Sequence, residues 1–136
     1  MSLETMELPP HSGINYFRIA REQSLMSRFR CKVGACLVSG KSVFKGYNKR
    51  KTHTRFANPN LHIKTSLHAE LSCIINAGDK VNLRGSSIYV YRETSDGSPA
   101  MSKPCSHCMK FLKEEGISNI YYSKPEYPYW DTEKIN

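Results

Sequence analysis

An α/β fold, a sheet covered by helices, is the class this sequence predicts. Short apolar runs of strand length alternate with stretches of helical spacing. Gly78 and Gly116 stand where two of the helices should stop. The order reads helix, hairpin, helix, strand, helix, strand. Such alternation implies one sheet joined by right-handed crossovers.

Residues 1–12 read as a flexible arm ahead of a single domain over 13–136. From Ile14 to about Phe29, apolar residues recur at Ile14, Phe17, Leu25 and Phe29, with Arg18, Arg21 and Glu22 between them. That spacing predicts an amphipathic helix. Val33 to Val38 is a short apolar run, Ser39-Gly40-Lys41 a turn, and Ser42 to Tyr47 a second run, so the pair reads as a hairpin. Asn48 to Ser66 is a long polar stretch with Pro59, His53 and His62. A stretch of that length is usually functional or disordered rather than a simple connection. Leu67 to Ala77 reads as a helix, with Ser66 as N-cap, Gly78 as its stop and a core face of Leu71, Ile74 and Ile75. Ser87 to Tyr91 is a third strand and Arg92 to Lys103 a polar loop. A third helix runs from Ser106 to Glu115, ahead of Gly116, and Asn119 to Tyr122 is a fourth strand. The tail from about Lys124 holds Tyr127, Tyr129 and Trp130. It can add a short strand, dock on the surface or stay mobile.

The chain has 136 residues and a hydrophobic fraction of 39%, enough to bury a core and too much for a wholly disordered chain. No apolar run approaches the roughly 18 residues of a membrane span. Met1 to Gly13 lacks the apolar region of a signal peptide. The five cysteines are an odd number, which argues for a reducing, cytoplasmic location and against a disulfide framework. Cys31, Cys36 and Cys73 read by default as small buried residues.

The net charge is +8, from 20 Lys+Arg against 12 Asp+Glu. It favours a polyanion or a phosphate-bearing ligand. No acid occurs between Glu22 and Glu70, and half of the 20 basic residues fall in that gap, spanning 28–64. A solvated basic surface and a phosphate-facing rim are both open readings.

Two motifs carry chemistry. His68-Ala69-Glu70 opens the second helix, and Pro104-Cys105-Ser106-His107-Cys108 opens the third. Each alone is weak; together they are strong for a geometric reason. Helix N-termini offer unpaired N–H groups and a positive dipole end, which stabilise thiolates, the zinc-binding form of cysteine. Pro104 suits a pre-helix position, where its missing N–H costs little. His68, Cys105 and Cys108 supply three zinc ligands and leave the fourth position open for water, as in catalytic sites. Glu70 lies two residues past His68 and can shuttle a proton between that water and a substrate. His-x-Glu followed downstream by Pro-Cys-x-x-Cys is the signature of zinc base deaminases. The bland alternative is a non-catalytic zinc knuckle closed by His107 or His62, in a nucleic-acid-binding module.

On these motifs, together with Val33 to Val38, Gly46-Tyr47-Asn48, Glu115-Gly116-Ile117 and Ile120-Tyr121-Tyr122, the sequence resembles the zinc-dependent cytidine and deoxycytidylate deaminase superfamily from roughly Ile14 to Ser123. The histidine ligand favours the nucleotide and polynucleotide branch, since the small free-nucleoside enzymes usually carry cysteine there, and the likeness is nearest the deoxycytidylate deaminase-like members. The resemblance implies a three-layer α/β/α fold with a mixed, about five-stranded sheet. It implies Zn2+ as cofactor and a homo-oligomer. It also implies substrate contacts, with Asn48 meeting a sugar hydroxyl and the Ala69 N–H meeting the base carbonyl. A turn residue at a strand end is the plain reading of Asn48. Lys49, Arg50 and Lys51 are candidate phosphate contacts.

The chain departs from its relatives at Leu71-Ser72-Cys73, where deoxycytidylate deaminases usually carry Asn-Ala, and at Lys49, where they often carry Gly. Ser102-Lys103 stands where transfer-RNA adenosine deaminases usually carry Leu-Glu. Three roles are open to Lys103: pairing a phosphate, supporting the thiolates, or pointing outward. The leading expectation is conversion of cytosine to uracil in a cytidine nucleotide such as dCMP. The alternative is a polynucleotide deaminase, acting on cytosine in single-stranded DNA or RNA or on adenine in tRNA. It would hold single-stranded nucleic acid along the basic segment 28–64, with no membrane involved.

Overall fold

The computed structural model describes residues 13–49 and 67–136. The predicted arm (1–12), the N-cap Ser66 and most of the polar stretch after Asn48 lie outside these residues. The elements are α1 (Gly13–Ser24), β1 (Val33–Ser39), β2 (Ser42–Tyr47), α2 (Ala69–Ala77), β3 (Ser87–Arg92), α3 (Ser106–Glu114), β4 (Asn119–Ser123) and β5 (Trp130–Lys134). They form one mixed five-stranded sheet in the order β2-β1-β3-β4-β5. Only β3 and β4 pair in parallel, through the α3 crossover; the other neighbours are antiparallel.

Strand alternation divides the core into two layers. Ala35, Leu37, Ile88, Val90 and Ile120 face α2 and α3, where they pack with Leu71, Ile74, Cys108 and Leu112. Their alternates Cys36, Tyr89 and Tyr91 face α1, packing on Phe17 and Ala20. On that side the Tyr89 ring stacks on Tyr121 at 4.5 Å and meets Phe17 edge-on. The three-layer α/β/α prediction therefore holds.

Two glycines set how closely the layers approach. A Cβ on Gly34 would lie 1.9 Å from the Ala20 carbonyl oxygen, and one on Gly46 would lie 2.7 Å from both the Ala69 carbonyl oxygen and the Cys73 nitrogen. Helix backbones thus cross β1 and β2 almost in contact, α1 on one face and α2 on the other.

Three local expectations change. The first helix stops at Ser24 rather than near Phe29, because the chain turns away to bond elsewhere. Met26 and Ser27 close tight turns on the Gln23 and Ser24 carbonyls, and the Ser27 hydroxyl donates to the Asn48 carbonyl at 3.1 Å. Leu25, predicted on the apolar face, is instead 52% exposed. The second helix starts at Ala69, since Leu67 forms a two-bond bridge with Lys49. The tail becomes β5, pairing along β4 from Trp130 to Lys134. Cys36 and Cys73 are buried as expected, and burial pushes the Cys36 thiol up to about 12. Cys31 is exposed, against expectation, because the shortened α1 leaves it on an open connection. Among the described residues no helix is long and apolar enough to cross a membrane.

Candidate active site

The site forms at one end of the sheet, where the register pairs Val33 with Arg92 and Gly34 with Tyr47. The parallel pair ends its strands at this same end, and ligands of α/β sheets gather beyond strand carboxyl ends.

His68 and Cys105 hold equivalent positions. Each is the extended N-cap of its helix, with φ −68°, ψ 155° for His68 and φ −70°, ψ 169° for Cys105. Neither side chain caps its own helix, so both remain available. Ser72 N–H to His68 C=O and Met109 N–H to Cys105 C=O are the first helical bonds. The N–H groups before them have no intrahelical partner. Cys108 follows in the first turn of α3, fully buried.

The two helix starts face each other. His68 Nδ1 lies 3.1 Å from Cys108 Sγ and 3.6 Å from Cys105 Sγ. All three ligand atoms lie within 4.8 Å of one another. Tetrahedral zinc, with bonds near 2.0–2.3 Å, needs ligand atoms about 3.6 Å apart, so this donor set fits the metal in spacing and chemistry. Of the two thiols Cys105 ionises more readily. Hydrogen bonds from the Cys108 thiol and from His68 hold it down at about 3. Donating to Cys105, and burial, push Cys108 far up. The bond to Cys105 raises His68 against the effect of burial.

Glu70 is 4% exposed in the first turn of α2. Burial raises its pKa, partly opposed by its own backbone N–H. A carboxyl so placed is poised to exchange protons.

His68, Cys105 and Glu70 line a cavity of about 480 Å3, within the range of small-molecule sites, while Cys108 is fully buried outside its lining. Its lining joins His68, Ala69, Glu70 and Cys105 to Asn48, to Phe29–Cys31, and to Arg92 and Met101–Lys103. The Asn48 amide is partly committed: Oδ1 accepts from the Val33 N–H at 3.0 Å and Nδ2 donates to the Cys31 carbonyl at 2.7 Å. These partners lie 15 and 17 residues away rather than within a turn, and one donor and one acceptor position remain. Lys49 is absent from the lining; its ammonium lies over the Tyr47 ring at 4.7 Å. Arg50 and Lys51 lie outside the described residues. Lys103 lines the cavity, yet its ammonium pairs with Glu133 at 2.9 Å.

Phe29, Arg92 and Met101 belong to the cavity but to no motif, and nothing in the sequence singled out Arg30 from the other basic residues. Arg92 had a usable signal as the last residue of a strand ahead of a long loop, at the end where α/β proteins bind ligands.

A three-layer α/β/α fold that gathers a His/Cys/Cys donor set beside a cavity lined by a buried glutamate defines a zinc-dependent hydrolytic deaminase. The chain belongs to the cytidine and deoxycytidylate deaminase family: the model of that family's zinc-binding region matches residues 14–124. Among solved structures it is similar to the dCMP deaminase of cyanophage S-TIM5 in its apo form, at 24% identity and a TM-score of 0.62, covering 89% of each chain. It is likewise similar to the cytidine deaminase of Burkholderia pseudomallei, at 20% identity and a TM-score of 0.62, covering 92% of this chain and 94% of that one. No curated protein matches.

Proposed function

We propose that this deaminase converts cytosine to uracil in a cytidine nucleotide such as dCMP, consuming water and releasing ammonia. The observation that carries the nucleotide assignment is the cavity itself, which joins Glu70 and the metal ligands to two arginines, Arg30 and Arg92. Guanidinium groups suit phosphate, with which they form strong bidentate bonds. In this reading Arg30 and Arg92 take the phosphate; of the contacts expected from sequence Lys49 lies outside the lining, and Arg50 and Lys51 lie outside the described residues.

His68, Cys105 and Cys108 would hold the zinc ion, which when bound supplies Lewis acidity and a water acidic near neutral pH. Glu70 takes the protons of the attacking water in turn, delivering the first to N3 of the base and the second to the departing amino group, so that uracil and ammonia leave. The Ala69 N–H, at the start of α2, donates to the base carbonyl, and the Asn48 amide uses its remaining valences on the sugar. A dCMP deaminase with this fold, from cyanophage S-TIM5, is known in complex with dCMP and dUMP, which supports the choice of nucleotide.

One observation favours a second reading, a polynucleotide substrate. A further cavity of about 510 Å3 shares Arg30, Cys31 and Arg92 with the first and adds Glu93, Thr94 and Ser95. Together the two exceed what one nucleotide fills.

The test is ammonia release from cytidine, deoxycytidine, their monophosphates, single-stranded DNA and tRNA. The expected result is turnover of dCMP with kcat/KM about 10²-fold above deoxycytidine, as charge-assisted contacts allow. Replacing Arg30 and Arg92 by alanine should erase that preference and spare deoxycytidine. Release from oligonucleotides alone would decide for the second reading, and release from none would sink both.

A further inference from the structure

Beyond the deaminase motifs lies a buried pair of serines, Ser102 and Ser123, 7% and 0% exposed. They sit where the sheet opens. β3 and β4 pair in parallel from Ser87↔Asn119 to Val90↔Tyr122. Past that register the strands part, and the segment 100–102 enters between their ends. The Ala100 N–H donates to the Arg92 carbonyl at 2.9 Å, and the Ser102 N–H to the Ser123 carbonyl at 3.0 Å.

The parting leaves backbone groups that need partners in a dry place. The two hydroxyls supply them in one closed set. Ser123 Oγ accepts the Arg92 N–H at 3.1 Å and donates to the Ala100 carbonyl at 2.7 Å. Ser102 Oγ accepts the Ser123 N–H at 2.8 Å and donates to the Val90 carbonyl at 2.8 Å. The oxygens lie 2.9 Å apart. Each hydroxyl proton is used once, and the four backbone groups are satisfied.

What this stitching holds is the site. Ser102 is followed by Lys103, Pro104 and then the ligand Cys105. Arg92, bonded to Ser123 through its backbone, lines the cavity, as do Met101 and Ser102. On the reading of this cavity as the deaminase site, we propose that Ser102 and Ser123 are positioning residues. By fixing the segment 100–103 between the ends of β3 and β4, they set where Cys105 stands relative to His68. Neither ligates the metal; Ser102 lines the cavity, but its hydroxyl is spent on the Val90 carbonyl and the Ser123 N–H.

The test uses the full chain with Ser102→Ala, Ser123→Ala and the hydroxyl-retaining Ser123→Thr. Ser86→Ala is the control: Ser86 is 3% exposed and donates to the Leu83 carbonyl, on the connection leading into the opposite end of β3. The readouts are zinc affinity by chelator competition and the d–d absorption of the cobalt-loaded protein, beside a thermal melt. We expect both serine-to-alanine variants to lose about tenfold or more in zinc affinity, the effect of disturbing the groups that orient metal ligands. Their cobalt bands should shift, while Ser123→Thr restores both readouts and Ser86→Ala lowers only the melting temperature. Unchanged zinc affinity and cobalt bands in Ser102→Ala and Ser123→Ala would overturn the proposal. If Ser123→Ala does not fold, Ser102→Ala alone decides by the same measure. A chain that releases ammonia from no substrate overturns the proposed function while the metal readouts still judge the serines.

Discussion

Glu70 is a carboxyl in the interior of a small protein, a position with no structural benefit of its own. Its neighbours in α2 are the core residues Ala69, Leu71 and Ser72, and burial works against its charge. The chain accepts that cost next to three metal-ligating side chains, which marks the group as functional. Gln has the same shape and cannot carry the proton. Glu70→Gln should therefore retain zinc, read by metal analysis, and lose about 10²- to 10⁴-fold in the rate of ammonia release. An undiminished rate would remove Glu70 from the mechanism. Lys103 shows the opposite case. The sequence leaves it pairing a phosphate, supporting the thiolates or pointing outward; the side chain instead pairs with Glu133, beside the Tyr122 ring at 6.0 Å. Both partners of that ion pair are about half exposed, and solvent screens it. It tethers β5 to the approach of Cys105 without acting on the thiolates.

Elements matter here through how they are seated. Gly46 lets α2 lie against β2, and α2 carries His68 at its cap and Glu70 in its first turn. Gly46→Ala forces a Cβ against backbone at 2.7 Å, which the helix can relieve only by moving. Overpacking of this kind costs about 1–3 kcal/mol. The expected outcome is a lower melting temperature together with weaker zinc binding, because the moved helix holds a ligand. Gly34→Ala meets α1 more severely, at 1.9 Å, but α1 holds no ligand. Its folded fraction should bind zinc as the parent does, and melting curves with zinc competition separate the two. The same distinction between local and distant causes governs what the sequence reveals. Ligands at helix starts are legible because the motif and the start lie within five residues, Pro104 to Cys108. The end of α1 is not, since Ser27 donates to the carbonyl of Asn48, 21 residues away. Nor is the Ser102–Ser123 pair, joined by bonds between residues 21 apart. The tail could have had any of three fates, and the register with β4 decides for a strand.

At the scale of the whole molecule the charge of +8 is the remaining discriminator of substrate. Half of the basic residues fall in the acid-free segment, yet its described residues bring little of that charge to the cavity. Of the segment's described bases, Arg28, Arg30, Lys32, Lys41, Lys45 and Lys49, only Arg30 appears in the lining. Arg92 and Lys103 join it from elsewhere, and Lys103 is already paired. A cavity with two guanidinium groups, one of which also donates to the Met101 carbonyl, matches one phosphate. A strand of nucleic acid would have to draw on the wider basic surface as well, and each neutralised phosphate would release counterions. The two substrates therefore part on salt. Between 50 and 200 mM salt, an oligonucleotide held by about six phosphates would lose about 10²- to 10³-fold in affinity. For dCMP, where Debye screening alone acts on one close contact, KM should rise by no more than about threefold. Measuring KM for dCMP and the dissociation constant of a single-stranded oligonucleotide across that range compares the two directly. A shallow profile with turnover of dCMP assigns the excess charge to the surface at large. A steep profile for an oligonucleotide that is also deaminated would instead make the two adjoining cavities, with Arg30 and Arg92 between them, the start of a polynucleotide track.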